Sequence, residues 1–225
     1  MKLIPPFTRI KLASLALLLT TVVIQGCNDD ALTREYNVTV TNLTNNQAFS
    51  PIAGVMHDDS QEIFELGNIA SVAVENLAES GDNSGIVDDT DSTASGSGLL
   101  TAGSSETIAL KSDDKDSSLS LLAMLVNTND GFIGLKSVDL AELKKDESLM
   151  LYARVYDAGT EKNSEASTDV PGQSGEGFNA ERNDHNFISV HPGVISQDDG
   201  FTSSALDASH RFDNPGAKVV ITRTR

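Results

Sequence analysis

Apolar and polar residues alternate along much of this chain after residue 35. Tyr36, Val38 and Val40 face one way while polar residues between them face the other, which is the period of a half-buried strand. Comparable segments recur to the C-terminus and predict strands at residues 35–41, 51–56, 106–111, 119–126, 132–135, 148–156, 187–190 and 217–224. About eight short strands predict a mainly β fold, an antiparallel sandwich or barrel.

One segment has a helical period instead. Between Ile63 and Glu79 the apolar residues recur at steps of three and four, which predicts one helix with a single apolar stripe. Gly81 follows as a stop signal. The acidic link 112–118 is turn-like and favours a hairpin between its flanking strands. The long polar segments are predicted loops, at residues 88–103, 160–184 and 196–210.

Two acidic turns carry the candidate chemistry. Asn129-Asp130-Gly131 closes the strand at 119–126, and Asp157-Ala158-Gly159-Thr160-Glu161 closes the strand at 148–156. Carboxylates just past strand ends supply the oxygen ligands that Ca²⁺ prefers. If the strand ends are neighbours, Asp130, Asp157 and Glu161 can share one ion. The alternative is that these are ordinary turn residues, since Asp and Gly are favoured in turns on backbone grounds.

The N-terminus has the pattern of an export signal. Lys2, Arg9 and Lys11 precede a short apolar stretch that ends at Gly26-Cys27. This resembles a lipoprotein signal, so we predict that residues 1–27 are a signal peptide ending at a lipidated Cys27. Residues 28–34 then form a tether. The alternative is an ordinary secretory signal with a chance cysteine.

Charge and composition restrict the class of partner. Removal of residues 1–27 takes away three basic and no acidic residues, so the formal net charge moves from −17 to −20. A chain this acidic repels nucleic acid and favours divalent cations. Residues 35–225 are long enough for one β domain with its own core.

Enzymatic signatures are scarce in this sequence. It has no nucleophile elbow, no glycine-rich phosphate loop and no Cys–His pair, and its histidines lack zinc-type spacing. We therefore predict that the protein is not an enzyme. A hydrolase that uses Asp157, Glu161 or His191 remains the less favoured alternative.

Several blocks occur in the order found in one known family. Residues 151–161 contain Tyr-Asp-Ala-Gly-Thr-Glu, and residues 120–134 end in Asn-Thr-Asn-Asp-Gly-Phe-Ile-Gly. Glu65-Leu66-Gly67, Leu77-Ala78-Glu79 and later Pro-Gly pairs agree with bacterial versions of the same pattern. Residues 35–225 therefore resemble the spondin N-terminal domain.

The resemblance implies a C2-like β-sandwich with Ca²⁺ at one end. The family's ligand positions correspond here to Asp130, Asp157 and Glu161, with Glu161 standing where animal members have Asp. It further implies a non-enzymatic, lipid-anchored domain for adhesion or protein interaction, exported to the periplasm or cell surface. Its membrane contact would be the lipid anchor, and its protein or matrix partner is unidentified. A structural envelope lipoprotein without a metal site is the alternative.

Overall fold

The computed structural model describes residues 1–3, 33–112 and 117–225. Most of the predicted signal peptide, the predicted lipidation site Cys27 and most of the tether 28–34 lie outside these residues. Residues Ala31–Arg225 form one compact unit. Within the described ranges, no helix combines the length and apolarity that crossing a membrane requires.

The domain contains nine strands and one α-helix among its described residues. The helix α1 is Val72–Ser80. The strands are β1 Arg34–Asn42, β2 Ala53–His57, β3 Thr93–Ser95, β4 Ser105–Ser112, β5 Ser118–Met124, β6 Gly131–Asp139, β7 Ser148–Asp157, β8 Ser189–Val190 and β9 Ala217–Arg223. The eight predicted strands are all present, and β3 lies inside a segment predicted to be loop.

The strands pair antiparallel in the order β3-β2-β5-β6-β7-β9-β1-β4, with β8 added beside β7. Strand β4 also packs near β2 and β3, so the order nearly closes like a barrel. Strand β7 changes partner along its length: residues 148–153 pair with β9, and residues 154–157 pair with β6. The end of β7 that carries Asp157 is therefore fixed beside β6.

The predicted mainly antiparallel β fold with one helix is confirmed, whereas the predicted β4–β5 hairpin is wrong. Strand β4 pairs with β1 over its whole length, and β5 lies between β2 and β6. The acidic link favoured a local turn, but the long-range β1–β4 ladder decides the pairing, with hydroxyl pairs such as Thr39–Thr107 across it. The two-sheet, C2-like arrangement stays a prediction.

The helix is shorter than its apolar period predicted. It begins at Val72 rather than Ile63, because the Ser71 side chain accepts a hydrogen bond from Val74 N and caps it. Gly67 has φ +87°, a left-handed conformation that interrupts helical geometry. The predicted stop at Gly81 is confirmed, with φ +74° and its N–H bonded to Leu77 O.

Two apolar clusters hold the strands and helix. The central core lies inside the nearly closed sheet and includes Val38, Leu121 and Ile133. A second cluster packs α1 against β5 and β6 through Leu77, Leu122 and Phe132, among others. The helix is thereby held beside the start of β6, where the acidic turn Asn129-Asp130-Gly131 ends.

Candidate cation site

The two acidic turns meet in space. Gly131 of β6 pairs with Asp157 of β7, and Ala158 N donates to Asp130 O at 3.1 Å. Asp130 and Asp157 are both buried, and at most 1% of the surface of either residue is exposed. The antiparallel register therefore places two acidic side chains in the protein interior at the same end of the sheet.

Asp130 is hydrogen-bonded through one oxygen alone. Its Oδ2 accepts from Thr160 N at 2.8 Å, Thr160 Oγ1 at 3.2 Å and Glu161 N at 3.1 Å. Its Oδ1 is buried and has no hydrogen-bond partner among the described residues. Burial, and next the charge of Asp157, raise the pKa of Asp130 to about 7. The site thus disfavours the ionised form unless a cation compensates for it.

Asp157 shapes the second turn. Its Oδ1 accepts from Gly159 N at 2.8 Å, and its Oδ2 accepts from Asn163 Nδ2 at 2.7 Å. Gly159 has φ +72°, and a Cβ there would lie 2.3 Å from Phe187 O. The position needs glycine, because the left-handed backbone and the close carbonyl leave no room for a side chain.

Asp157 also faces a histidine that the sequence did not connect with it. Its Oδ1 lies 4.0 Å from His185 Nε2, and His185 Nδ1 lies 2.6 Å from Asp184 Oδ2. In the described part of the chain, these three form a group whose potential ligand atoms all lie within 4.8 Å of one another. Asp130 and Glu161 stand outside that group.

Glu161 is partly exposed and surrounded by other acids. Its pKa is raised to about 8. Burial is the largest cause, and the negative charges of Glu79, Asp130, Asp169 and Glu176 raise it further. Glu161 also lines a polar pocket of about 190 Å³ together with Asn129 and Asp169. The structure therefore brings all three predicted ligands to one acidic end of the domain.

The donor chemistry of this end suits a hard cation. Of the buried oxygens that have no hydrogen-bond partner among the described residues, four belong to this end: Glu79 Oε1, Asn129 Oδ1, Asp130 Oδ1 and Asn163 Oδ1. Ca²⁺ is bound by carboxylate and amide oxygens of this kind, six to eight at a time. A bound cation would also offset the mutual repulsion of the carboxylates. The residues present thus fit Ca²⁺ in ligand type and in charge, but the carboxylates of Asp130, Asp157 and Glu161 do not all lie within 4.8 Å of one another.

Sequence reasoning missed several members of this end. Glu79 was assigned to the helix, Asn129 to the turn and Asp184 to a loop, and His185 was set aside because the histidines lack zinc-type spacing. Glu75 and Glu79 are four residues apart and therefore share one face of the helix, but this spacing does not predict that the face is buried. The structure shows that both acids are buried in α1.

His191, the histidine of the hydrolase alternative, is buried and accepts a hydrogen bond within its own turn. Its Nδ1 accepts from Gly193 N at 3.0 Å, and its ring packs edge-on against Phe212 at 5.0 Å. Burial lowers its pKa to about 4, although the charge of Asp157 opposes this. A neutral, buried imidazole held in this way suits a structural role.

Comparison with known proteins identifies one family. The family model Spondin_N matches residues 34–185, which include β1 to β7, α1 and the acidic residues described above. Strands β8 and β9 lie beyond the matched range. No curated protein matches the chain.

Proposed function

Because the chain belongs to the Spondin_N family, we propose that its domain is a non-enzymatic Ca²⁺-binding module for adhesion or protein interaction. Asp130, Asp157 and Glu161 would hold the ion. The observation that carries this proposal is the burial of Asp130 beside Asp157, with one Asp130 oxygen lacking a partner among the described residues. Two buried carboxylates of like charge are unfavourable together unless a cation or proton joins them.

The ion would order the surface of the module. Asp130 and Asp157 lie at the ends of paired strands, and Glu161 begins the long loop that runs to Asp184. A cation bound among them would fix that loop against the strands and so shape a surface for a protein or matrix partner. The proposal keeps the predicted C2-like sandwich as its architecture and includes no nucleic-acid partner.

The same proposal places the domain outside the cytoplasm. Its support is the N-terminal pattern of basic residues, a short apolar stretch and Cys27, which is typical of an exported lipoprotein. Lipidated Cys27 would anchor the domain to a membrane, in the periplasm or at the cell surface.

Calorimetry of the full chain with Ca²⁺ tests the proposal. We expect a dissociation constant on the order of 10⁻⁴–10⁻³ M, as in extracellular calcium modules. At tenfold excess over that constant, Ca²⁺ should stabilise the fold by about 1.4 kcal/mol. Asp157→Asn should abolish the heat of Ca²⁺ binding. Asp89→Asn removes the same charge from an exposed loop, so this variant should still show that heat.

Two results would contradict the proposal. If the unaltered chain gives no heat, the module does not bind Ca²⁺. If Asp157→Asn binds as tightly as the unaltered chain, the ion binds elsewhere.

A structural envelope module without a metal is the second candidate. Its support is that Asp130 Oδ2 already accepts three hydrogen bonds and that Asp157 closes its turn on Gly159 N. Such bonds suffice to explain why these acids are present in turns. This candidate predicts that a chelator leaves the Tm unchanged, whereas the calcium proposal predicts a lower Tm.

A further inference from the structure

His185 lies across a short gap from a buried carboxylate. Its Nε2 is 4.0 Å from Asp157 Oδ1, which is beyond hydrogen-bonding distance. On the other side of the ring, Nδ1 is 2.6 Å from Asp184 Oδ2. An ionised carboxylate only accepts hydrogen bonds, so Nδ1 carries a proton, and in the neutral ring Nε2 is then an acceptor. Two acceptor atoms, Nε2 and Asp157 Oδ1, therefore lie 4.0 Å apart with no proton to share.

This separation suits a metal ion that takes nitrogen as well as oxygen ligands. Zn²⁺ binds histidine nitrogen at about 2.0–2.1 Å and carboxylate oxygen at about 2.0–2.2 Å, so the two bonds together span about 4.1 Å. One ion can thus contact both atoms with little movement of either side chain. Calcium is bound by oxygen ligands, whereas imidazole is a common ligand of Zn²⁺ and Cu²⁺. The histidine therefore indicates a different class of cation from calcium.

Backbone hydrogen bonds hold His185 in this position. Asn183 N donates to Thr160 O at 3.0 Å. Asn186 N donates to Gly159 O at 2.7 Å. The segment that contains the histidine is therefore tied on both sides to the turn that follows the buried carboxylate. Ligands held in this way lose little freedom when an ion binds, which favours binding.

Two neighbours of the gap also agree with an ion there. Gly159 leaves space beside the imidazole, because a Cβ at this position would lie 3.0 Å from His185 Nε2. Asn163 Nδ2 donates to Asp157 Oδ2 at 2.7 Å, while Asn163 Oδ1 is buried without a partner among the described residues. Because an amide is neutral, this unpartnered oxygen is independent of the acidic charge. A metal ion, or a water bound to it, would satisfy such an oxygen.

We propose that Asp157 Oδ1 and His185 Nε2 bind a divalent transition-metal ion of the Zn²⁺ class, and that Asp184 is the positioning residue that holds the imidazole. Potential ligand atoms of all three residues lie within 4.8 Å of one another. A carboxylate bonded to the far nitrogen of a metal-bound histidine fixes its tautomer and makes it a better ligand. The His185 side chain is 31% exposed, so water can complete the coordination. The site shares Asp157 with the calcium proposal but does not depend on it.

Calorimetry of the untagged full chain with Zn²⁺ tests this site. His185→Ala should abolish the heat of Zn²⁺ binding. The matched control is His210→Ala, because His210 Nδ1 also lies beside a carboxylate, at 3.0 Å from Asp207 Oδ1. Among the described residues, no third potential ligand joins that pair. His210→Ala should therefore still show the heat of Zn²⁺ binding.

Two variants of Asp184 test its positioning role. Asp184→Ala should weaken Zn²⁺ binding about tenfold to a hundredfold, which is the usual cost of losing the partner of a metal-bound histidine. Asp184→Asn keeps an acceptor for Nδ1–H, so it should restore most of the affinity. If Asp184 were merely structural, Asp184→Ala would lower the Tm in chelator and leave the Zn²⁺ affinity unchanged. That result would overturn its role.

The outcomes separate this inference from the proposed function. His185→Ala should retain Ca²⁺ binding, because calcium takes oxygen ligands. If the unaltered chain binds Ca²⁺ but gives no heat with Zn²⁺, or if His185→Ala binds Zn²⁺ as tightly as the unaltered chain, the inference fails and the calcium proposal stands. If the unaltered chain binds Zn²⁺ through His185 but does not bind Ca²⁺, the calcium proposal fails and the inference stands. Should His185→Ala not fold, the two Asp184 variants decide.

Discussion

The central core and the acidic end are equally buried but differ in chemistry. In the core, Leu121 and Ile133 are fully buried among apolar neighbours. At the acidic end, Glu79 and Asp130 are also buried, but each has an oxygen without a hydrogen-bond partner among the described residues. The first region gains free energy from removing apolar surface from water. The second region costs free energy, because buried carboxylates lose hydration without full compensation. The same domain therefore contains one region that stabilises it and one whose buried carboxylates are unfavourable.

The two regions make opposite contributions to the free energy of folding. A nearly closed antiparallel sheet with an apolar interior can tolerate a few kcal/mol of unfavourable burial at one end. If an ion completes the acidic end, variants of the core should be insensitive to Ca²⁺ and variants of the acidic end should depend on it. Three measurements test this contrast.

The largest effect is expected in the central core. Leu121→Ala removes a fully buried side chain and leaves a cavity, so it should lower the free energy of unfolding by about 3 kcal/mol. Denaturant unfolding in chelator and in saturating Ca²⁺ should give the same loss. If the loss differed by more than about 1 kcal/mol between the two conditions, the two regions would be coupled, and the expectation that core variants are insensitive to Ca²⁺ would be wrong.

A smaller effect is expected from two left-handed glycines. Gly159→Ala should cost about 2 kcal/mol, because its Cβ would overlap Phe187 O as well as strain the backbone. Gly67→Ala should cost about 1 kcal/mol, since φ is +87° there but no atom lies within 4 Å of the added Cβ. Gly159→Ala alone should also weaken Ca²⁺ binding, because it displaces the turn of Asp157. Equal Ca²⁺ affinities in both variants would place the ion away from that turn.

The smallest effect is expected from pH. Burial raises the pKa of Asp130 and Glu165 to about 7 and that of Glu161 to about 8, all above their values in the unfolded chain. Their protonated forms favour the fold, so this stability is lost as pH rises through 7 and 8. The pKa of His191 is lowered to about 4, so it acts in the opposite sense, but only below about pH 6.5.

In chelator, the Tm should therefore fall by a few degrees between pH 6.5 and pH 8.5. Saturating Ca²⁺ should reduce the fall, because the cation compensates for the ionised forms of Asp130 and Glu161. Differential scanning calorimetry at both pH values measures this directly. A Tm that does not change with pH in chelator would mean that the acidic end is already compensated without an ion.

Local patterns predicted the elements better than their partners. The period of two in β1 and the turn residues at Asp130 and Asp157 are local properties, and the structure shows a strand and turns there. The β1–β4 pairing and the helix start at Ser71 depend on distant packing and on one cap, so the predicted hairpin and helix bounds were wrong. Glu79 was missed for a similar reason: its neighbours at the acidic end come from segments far away in sequence.

The register of β1 has a mechanical consequence. Strand β9 is antiparallel to both β1 and β7, so β1 and β7 run in the same direction. Arg34, where the chain enters the sheet, therefore lies at the opposite end of the strands from Asp157. Tension between that entry and a partner held at the acidic end would pull along the strand axes. Since β1 is hydrogen-bonded to β9 on one side and β4 on the other, both ladders would bear the load in shear, with many bonds resisting together rather than unzipping one by one.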